Sequence, residues 1–432
     1  MTPSPSFTVR TDRSLLPASK SSTRYLLVRL SAPAAPAREV RVPVNVSLVL
    51  DRSGSMDDDR KFTLARQAVD QALRMLRPRD CFSVVVYDDR IDVLAPSTLA
   101  TDAAKERAMN ALDEIEPRGA TDLCAGWLRG CEQVANHLVR EDGVSRCLLL
   151  TDGLANRGIQ DRSELAVHAA ELQRRGVATS TFGVGRDFDE RLLRDMAHEG
   201  GGNFYFIEGA SQIPTILTSE LGEAIEVTVR NAVLEITLPR GADVTLMSRF
   251  RHRRALGDNE MRIELGDLVS EQQLAIVVKV TFPAGEIGRA TGVGVTLTGR
   301  GITGVAADSK WTYASDADDE AQERDREVER EAARLYAALA RAAAVEANRV
   351  GDFTLARQHV MGAAAKISAF GGNDPVATGI GHELEARVGE FTRSLDSDAL
   401  KAHFFSAHLG ASSRNAAGAA IKPPTPPKPS KQ

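Results

Sequence analysis

The sequence predicts an α/β fold, a doubly wound and mostly parallel sheet inserted in an antiparallel β-sandwich and followed by a C-terminal helical region. Three observations predict it. Between residues 43 and 222, apolar runs of strand length alternate with helical patterns, the order that builds a largely parallel sheet. From Ile225 to Tyr313 the runs Val227 to Leu238, Val244 to Phe250, Met261 to Leu265, Gln273 to Phe282 and Gly292 to Thr298 follow one another across Gly- and Pro-rich turns, as in a sandwich. Phe7 to Arg10 and Tyr25 to Leu30 also alternate like strands but find no vacant place in the α/β sheet. They are expected to pair with the sandwich, which makes the α/β domain an insertion.

A chain of 432 residues is too long for one ordinary core, so several domains are expected. The expected division is N-terminal strands over 1–42, the α/β domain over 43–222, the sandwich over 223–314, helices over 315–410 and a Pro/Lys tail over 411–432. Lys+Arg 54 against Asp+Glu 59 gives a net charge of -5, too balanced to draw the chain to nucleic acid or an anionic membrane. The N-terminus has no basic segment followed by an apolar core, and no apolar run reaches membrane-spanning length, so a cytoplasmic location is expected. Of the four cysteines, Cys81 and Cys147 lie in apolar strand patterns and read as buried thiols. Cys124 and Cys131 are seven apart on one expected helix, roughly 10 Å at helical rise, which is too far for a disulfide.

The first α/β strand, Val44 to Leu50, is a run of apolar residues that ends on Asp51, with Ser53 and Ser55 at alternate positions beyond it. Asp-x-Ser-x-Ser at a strand's carboxyl end brings one carboxylate and two neutral hydroxyls to one point, hard oxygen donors suited to Mg2+. The same residues also suit a Ser-rich turn capping the next helix. That helix, Asp59 to Leu76, carries Phe62, Ala65, Val69, Leu73 and Leu76 on one stripe and stops at Pro78. Cys81 to Tyr87 is the next strand, and Ile91 to Leu94 follows so closely that an antiparallel edge hairpin is expected. Helices are expected over Thr101 to Ile115 and Leu123 to Leu138. The second of these has Gly126 and Gly130 placed for close approach to the sheet. Cys147 to Thr151 is a strand that again ends on an Asp, Asp152. Helices over Arg162 to Arg174 and Glu190 to Glu199 alternate with strands over Val177 to Val184 and Asn203 to Ile207. Asp88, Asp89 and the Gly185-Arg186-Asp187 turn are expected to add an acidic rim, with Arg157 and Arg186 interspersed, to the face bearing Asp51 and Asp152.

Asp51, Ser53 and Ser55, then Thr121 at the start of a helix, then Asp152 at the second strand end, stand in the order of a known site. In them the first half of the chain resembles the von Willebrand factor type A (integrin I-domain-like) family, in its bacterial multidomain form. The resemblance implies a metal-ion-dependent adhesion site with Asp51, Ser53, Ser55, Thr121 and Asp152 around Mg2+, with Mn2+ or Ca2+ as possible substitutes. It implies a protein partner that offers a Glu or Asp to the metal, and no nucleic acid or membrane. A second class of reading is a non-catalytic subunit of a MoxR- or chelatase-like AAA+ ATPase machine. A third, a metal-dependent hydrolase, finds no support: no His flanks the motif, and His-Glu-x-x-His, Walker A and Gly-x-Ser-x-Gly patterns are missing. The chain is therefore expected not to be an enzyme.

The last third is Ala-rich and helical. Gly351-Asp352 interrupts it, and the expected product is an antiparallel helix pair resembling one tetratricopeptide unit, which cannot bury its own face and should pack on the sandwich. Arg249, Arg251, Arg253 and Arg254 read as a solvated hairpin tip beside Gly257 to Asn259.

Overall fold

The computed structural model describes residues 5–35, 42–138, 143–254, 259–372 and 374–423. It forms two units, one drawn from Met1–Ala34, Thr228–Ala416 and Ala420–Gln432, the other from Ala35–Val227 with Ala417–Ala419. The chain opens with β1 (Ser6–Thr11), β2 (Leu15–Pro17) and β3 (Ser22–Ser31), all of the first unit.

The second unit is the α/β domain. Its strands are β4 (Val44–Asp51), β5 (Cys81–Tyr87), β6 (Ile91–Leu99), β7 (Val144–Thr151), β8 (Ala178–Val184) and β9 (Gly201–Ile207). Its helices are α1 (Lys61–Met75), α2 (Asp102–Asp113), α3 (Leu123–Ala135), α4 (Arg162–Arg174), α5 (Glu190–Glu199) and α6 (Ile213–Ile225). The sheet runs β6-β5-β4-β7-β8-β9, parallel throughout except for the antiparallel edge pair of β5 and β6. Every residue of β4 and β7 is buried, because helices cover both faces of a parallel sheet and its central strands must be apolar on both sides. Chain order reverses across β4, so the carboxyl ends of β4 and β7 lie side by side at a switch point, the usual place for a ligand in such a sheet.

Helix α1 buries Phe62, Ala65, Val69 and Leu73 as its spacing predicts. It starts two residues later than expected, because Gly54–Arg60 forms a 3-10 segment that ends with Asp59 and Arg60 in the left-handed region, at φ 50° and 59°. The glycines of α3 are required by contact: a Cβ on Gly126 would meet Tyr87 Cγ at 2.3 Å, and one on Gly130 would meet Val49 Cγ2 at 2.2 Å. This helix rides directly on β4 and β5. It stops at Ala135, so Leu138 does not extend the buried stripe. Helix α6 was not expected, since Ile213–Ile225 is interrupted by Thr, Ser, Glu and Gly. Tertiary contacts hold it: Glu220, fully buried, accepts from Arg146 Nη1 (2.6 Å), Ser180 Oγ (2.6 Å), Asn203 Nδ2 (2.9 Å) and the Tyr205 hydroxyl (2.6 Å).

The first unit continues with β10 (Val227–Thr237), β11 (Asp243–Leu246), β12 (Arg251–Arg253), β13 (Glu260–Val269), β14 (Gln273–Phe282), β15 (Ala290–Arg300) and β16 (Val305–Ala314). Two sheets form, β1-β3-β14-β11 and β12-β13-β10-β15-β16-β2. Strand β3 pairs with β14 over ten residues, from Ser31 opposite Gln273 to Ser22 opposite Phe282. The N-terminal strands thus belong to the sandwich, and the α/β domain is inserted in it. Alternation along β3 divides its side chains between two cores. Leu26, Val28 and Leu30 face the inner core with Ile276, Val280 and Trp311, while Leu27 faces outward with Val277.

That outer face is covered by helix. The helices are α7 (Asp316–Ala321), α8 (Arg326–Arg349), α9 (Phe353–Gly371), α10 (Pro375–Ala386) and α11 (Ser397–Ala411). Val328, Ala332 and Leu335 of α8 pack on Leu27 and Val277, so the sandwich buries the face that a lone helix pair could not. Gly351, at φ 78°, turns α8 into α9, and the Asp352 carboxylate caps α9 by accepting from Leu355 N–H at 2.8 Å. The expected tail from Ala411 begins later: Arg249 N–H donates to Ala411 O and Gln273 N–H to Ile421 O, each at 2.7 Å, so backbone pairing holds the chain to Ile421. The Pro/Lys run beyond 423 lies outside the described residues, as does part of the hairpin tip expected at Gly257 to Asn259. Arg251 and Arg254 are not merely solvated there but pair with Glu264 and Asp243. Among the described residues no helix is long and apolar enough to cross a membrane.

Candidate metal centre

Strand β4 delivers Asp51 into a fully buried position at its last residue. Both carboxylate oxygens are engaged. Oδ1 accepts from Ser53 N–H at 2.8 Å and Oδ2 from Thr151 Oγ at 2.7 Å, which ties β4 to β7. Beyond Asp51 the chain turns so that Ser53 Oγ and Ser55 Oγ lie 3.2 Å apart. Ser55 Oγ donates to Asp152 Oδ1 at 2.7 Å, closing the link from the first motif to the end of β7.

Thr121 comes from the α2–α3 loop. Its N–H donates to Asn156 Oδ1 at 3.0 Å and its carbonyl accepts from Asn156 N–H at 3.3 Å. The loop is also held to the motif, where Gly54 N–H donates to Gly119 O at 3.3 Å. A Cβ on Gly153 would lie 3.5 Å from Thr121 Oγ1 and 4.0 Å from Ser55 Oγ, which places the two hydroxyls beside the same point. The five residues singled out in sequence therefore converge from three separate segments. Asp51, Ser53, Thr121 and Asp152 are buried, and Ser55 is half-buried.

Asp51 is held by a hydroxyl and a backbone N–H, with no ion pair among the described residues. Burial pushes the Asp51 carboxyl up to about 6; the hydrogen bonds from Thr151 and Ser53 pull the other way, and Asp152 adds to the rise. Two carboxylates and three hydroxyls are hard oxygen donors that suit a cation such as Mg2+. Among the described residues no group of three or more His, Cys, Asp or Glu is placed to hold a metal, so a cation here would depend on the hydroxyls.

Two features next to the donors were missed in the sequence. Lys61, the first residue of α1, donates from Nζ to Asp152 Oδ2 at 2.7 Å and to Ser55 O at 3.3 Å. Asp88, expected on an exposed rim, is fully buried. It pairs with Arg52 Nε at 3.0 Å and Arg118 Nε at 2.9 Å, and Arg52 also reaches Asp92. Burial pushes Asp88 upward, but Arg118, the Arg90 N–H and Arg52 outweigh it and hold the carboxyl below its usual range. The Arg118 N–H donates to Arg52 O at 2.7 Å and the Asp122 N–H to Asp88 O at 2.9 Å, so this cluster fixes the loop that bears Thr121. The readable signal was Arg52, a long cation set between two small ligand-type residues. Asp89 stays near Arg157, at 3.9 Å.

Comparison with known proteins bears on the domain that carries these residues. A family model, von Willebrand factor type A domain, matches residues 45–219. The uncharacterized protein YfbK of Escherichia coli K12 is 26% identical over 274 residues, covering 62% of this chain and 47% of that protein. Bovine inter-alpha-trypsin inhibitor heavy chain H1 is 25% identical over 240 residues, 53% of this chain and 25% of that protein. The chain thus spans half or less of the length of these two relatives. Among solved structures, a von Willebrand factor type A protein from Catenulispora acidiphila superposes with TM-score 0.68 at 16% identity, covering 91% of this chain and 98% of that one. The ArnB paralog VWA2 from Sulfolobus acidocaldarius gives TM-score 0.59 at 17% identity, covering 94% and 98%. Both similarities concern the fold, including the sandwich and helices around the insertion. Residues 45–219 of this chain match the von Willebrand factor type A domain, within an α/β unit carried as an insertion in a β-sandwich.

Proposed function

We propose that the chain is a divalent-metal-dependent protein-binding module rather than an enzyme. In this reading Asp51, Ser53, Ser55, Thr121 and Asp152 hold Mg2+, and the partner supplies a Glu or Asp carboxylate. The observation that supports it best is the convergence of three hydroxyls and two buried carboxylates at one switch point, with Asp51 short of compensating charge. Bound there, Mg2+ would supply a Lewis-acidic position open to a carboxylate oxygen from another protein. The chain's own residues do the positioning. Thr151 and the Ser53 N–H fix the Asp51 carboxylate, and Asp152 orients the Ser55 hydroxyl by accepting its hydrogen bond, which leaves the oxygen lone pairs for a cation. Asn156 and the Asp88 cluster hold the Thr121 loop in reach.

The donor set offers hydrolysis little. It has no histidine or third carboxylate among the described residues to act as a base or to hold a second metal. Capture from an extract of the source cell tests the proposal, with the full chain immobilised in Mg2+ or in chelator. A partner should be retained in Mg2+, released by chelator, and lost with Asp51→Ala. A AAA+ ATPase as partner would declare itself by release on adding ATP. A partner held equally well in chelator and by Asp51→Ala would overturn the adhesion reading.

A further inference from the structure

Lys61 is a cation whose side chain reaches the donor set directly. Its side chain is 13% exposed, and its ammonium lies 2.7 Å from the fully buried Asp152 carboxylate and 3.3 Å from the carbonyl of Ser55. Its stem passes Gly185 at the end of β8, where a Cβ would stand 4.0 Å from Lys61 Cε. A backbone feature places it there. Asp59 and Arg60 both take left-handed conformations immediately before it, at φ 50° and 59°, and Arg60 serves as the N-cap of α1 without any side-chain cap bond. Two successive left-handed residues other than glycine are unfavourable, and neither gains a cap by it. What the turn achieves is to start α1 with Lys61 pointing at Asp152.

We propose that Lys61 is a built-in counter-cation of the metal site, which sets its affinity by competing with the metal for Asp152. This rests on the metal-binding reading above. In the absence of metal, the ammonium neutralises Asp152 and makes it tolerable to bury that carboxylate beside Asp51. When a divalent ion enters, the ammonium remains close by. Two carboxylates against one ammonium leave the pocket one charge negative, and a divalent cation turns it one charge positive. A site with that balance holds its metal loosely by itself and favours an anionic oxygen from outside, so Lys61 couples metal retention to capture of an acidic partner. Arg52 and Arg118 cannot substitute, because Asp88 and Asp92 already engage them.

The test is a titration of Mn2+ alone into the full, chelator-stripped chain, for wild type, Lys61→Met, Lys61→Gln and Lys61→Arg. Folding of each is checked by circular dichroism. Removing the charge should tighten Mn2+ binding by on the order of tenfold or more, since a neighbouring positive charge repels a divalent ion strongly in a partly buried site. The metal-induced rise in melting temperature should grow in the same two variants, while Lys61→Arg stays near wild type. Lys61→Gln carries the test if Lys61→Met fails to fold. If wild type binds Mn2+ and both neutral variants bind it equally or more weakly, Lys61 is only structural and this proposal falls while the metal reading stands. If no form binds Mn2+, both fall.

Discussion

Two buried carboxylate centres lie at adjacent strand ends of the α/β domain, and they are built on opposite plans. Asp88, at the end of β5, has two guanidinium groups and a backbone N–H, which hold its carboxyl below the usual range despite full burial. Asp51, at the end of β4, has a hydroxyl and a backbone N–H and no cation of its own, and burial pushes it up to about 6. Asp88 is a finished structural centre, complete as it stands. Asp51 has the charge deficit of a site that expects a further cation. The difference teaches that a buried acid near a suspected site says little until its partners are counted.

The largest expected effect comes from breaking the finished centre. Asp88→Ala would leave buried Arg52 with only the half-exposed Asp92 as counter-ion, strip Arg118 of its closest one, and should destabilise the α/β domain by about 3 kcal/mol, read by chemical denaturation. Asp51→Ala, in chelator, should cost far less or even stabilise, because it removes a charge whose burial is poorly compensated. Equal losses in the two variants would erase the distinction between the centres.

The pH dependence sharpens it. In metal-free protein the folded state holds the Asp51 proton more tightly than the unfolded chain does, whose aspartates titrate near 3.8. The stability this gives is fully present below pH 3.8 and is lost as pH rises through about 6. It amounts to about 3 kcal/mol at most. Melting of the wild type in chelator should show this loss across pH 4 to 6, and Asp51→Asn should remove that component of the profile. Asp88 has the reverse sign: its lowered carboxyl stabilises the fold above the usual aspartate range, and that contribution fades as pH falls.

What could be read in the sequence follows the same line. The residues of the candidate site stand at strand ends or near a helix start, and the resemblance to the type A family grouped Asp51, Ser53, Ser55, Thr121 and Asp152 before the structure brought the three segments together. The insertion was legible too, from strands such as Tyr25 to Leu30 that had no place in the parallel sheet. Residues that act through long-range pairing were not. Asp88 looked like a rim residue because nothing local signals that Arg52, 36 positions away, folds onto it. Nothing local marks Lys61 either, since it is the left-handed turn at Asp59 and Arg60 that aims it at a residue 91 positions on. Helix α6 was hidden for the same reason, its buried Glu220 being satisfied by four groups from other elements.

The smallest effect is expected at Thr121. It is neutral, so Thr121→Ala should leave stability within about 1 kcal/mol of wild type and weaken Mg2+ binding only severalfold, while partner capture in Mg2+ falls further. Thr121→Ser, which keeps the hydroxyl, should restore capture. A stability loss as large as that of Asp88→Ala would show that the threonine is structural instead. Ca2+, which prefers longer bonds and more ligands, should support capture less well than Mg2+.

The measurement that bears most directly on the contrast between the two centres is isothermal titration of Mg2+ into the chelator-stripped full chain, for wild type and Asp51→Ala. The wild type should bind one ion and melt at a higher temperature with metal present, because an ion held only by the folded state raises its stability. Asp51→Ala should stay folded and show neither effect. No heat and no melting shift in the wild type, or the same response in Asp51→Ala, would mean that the charge deficit at Asp51 does not mark a metal site.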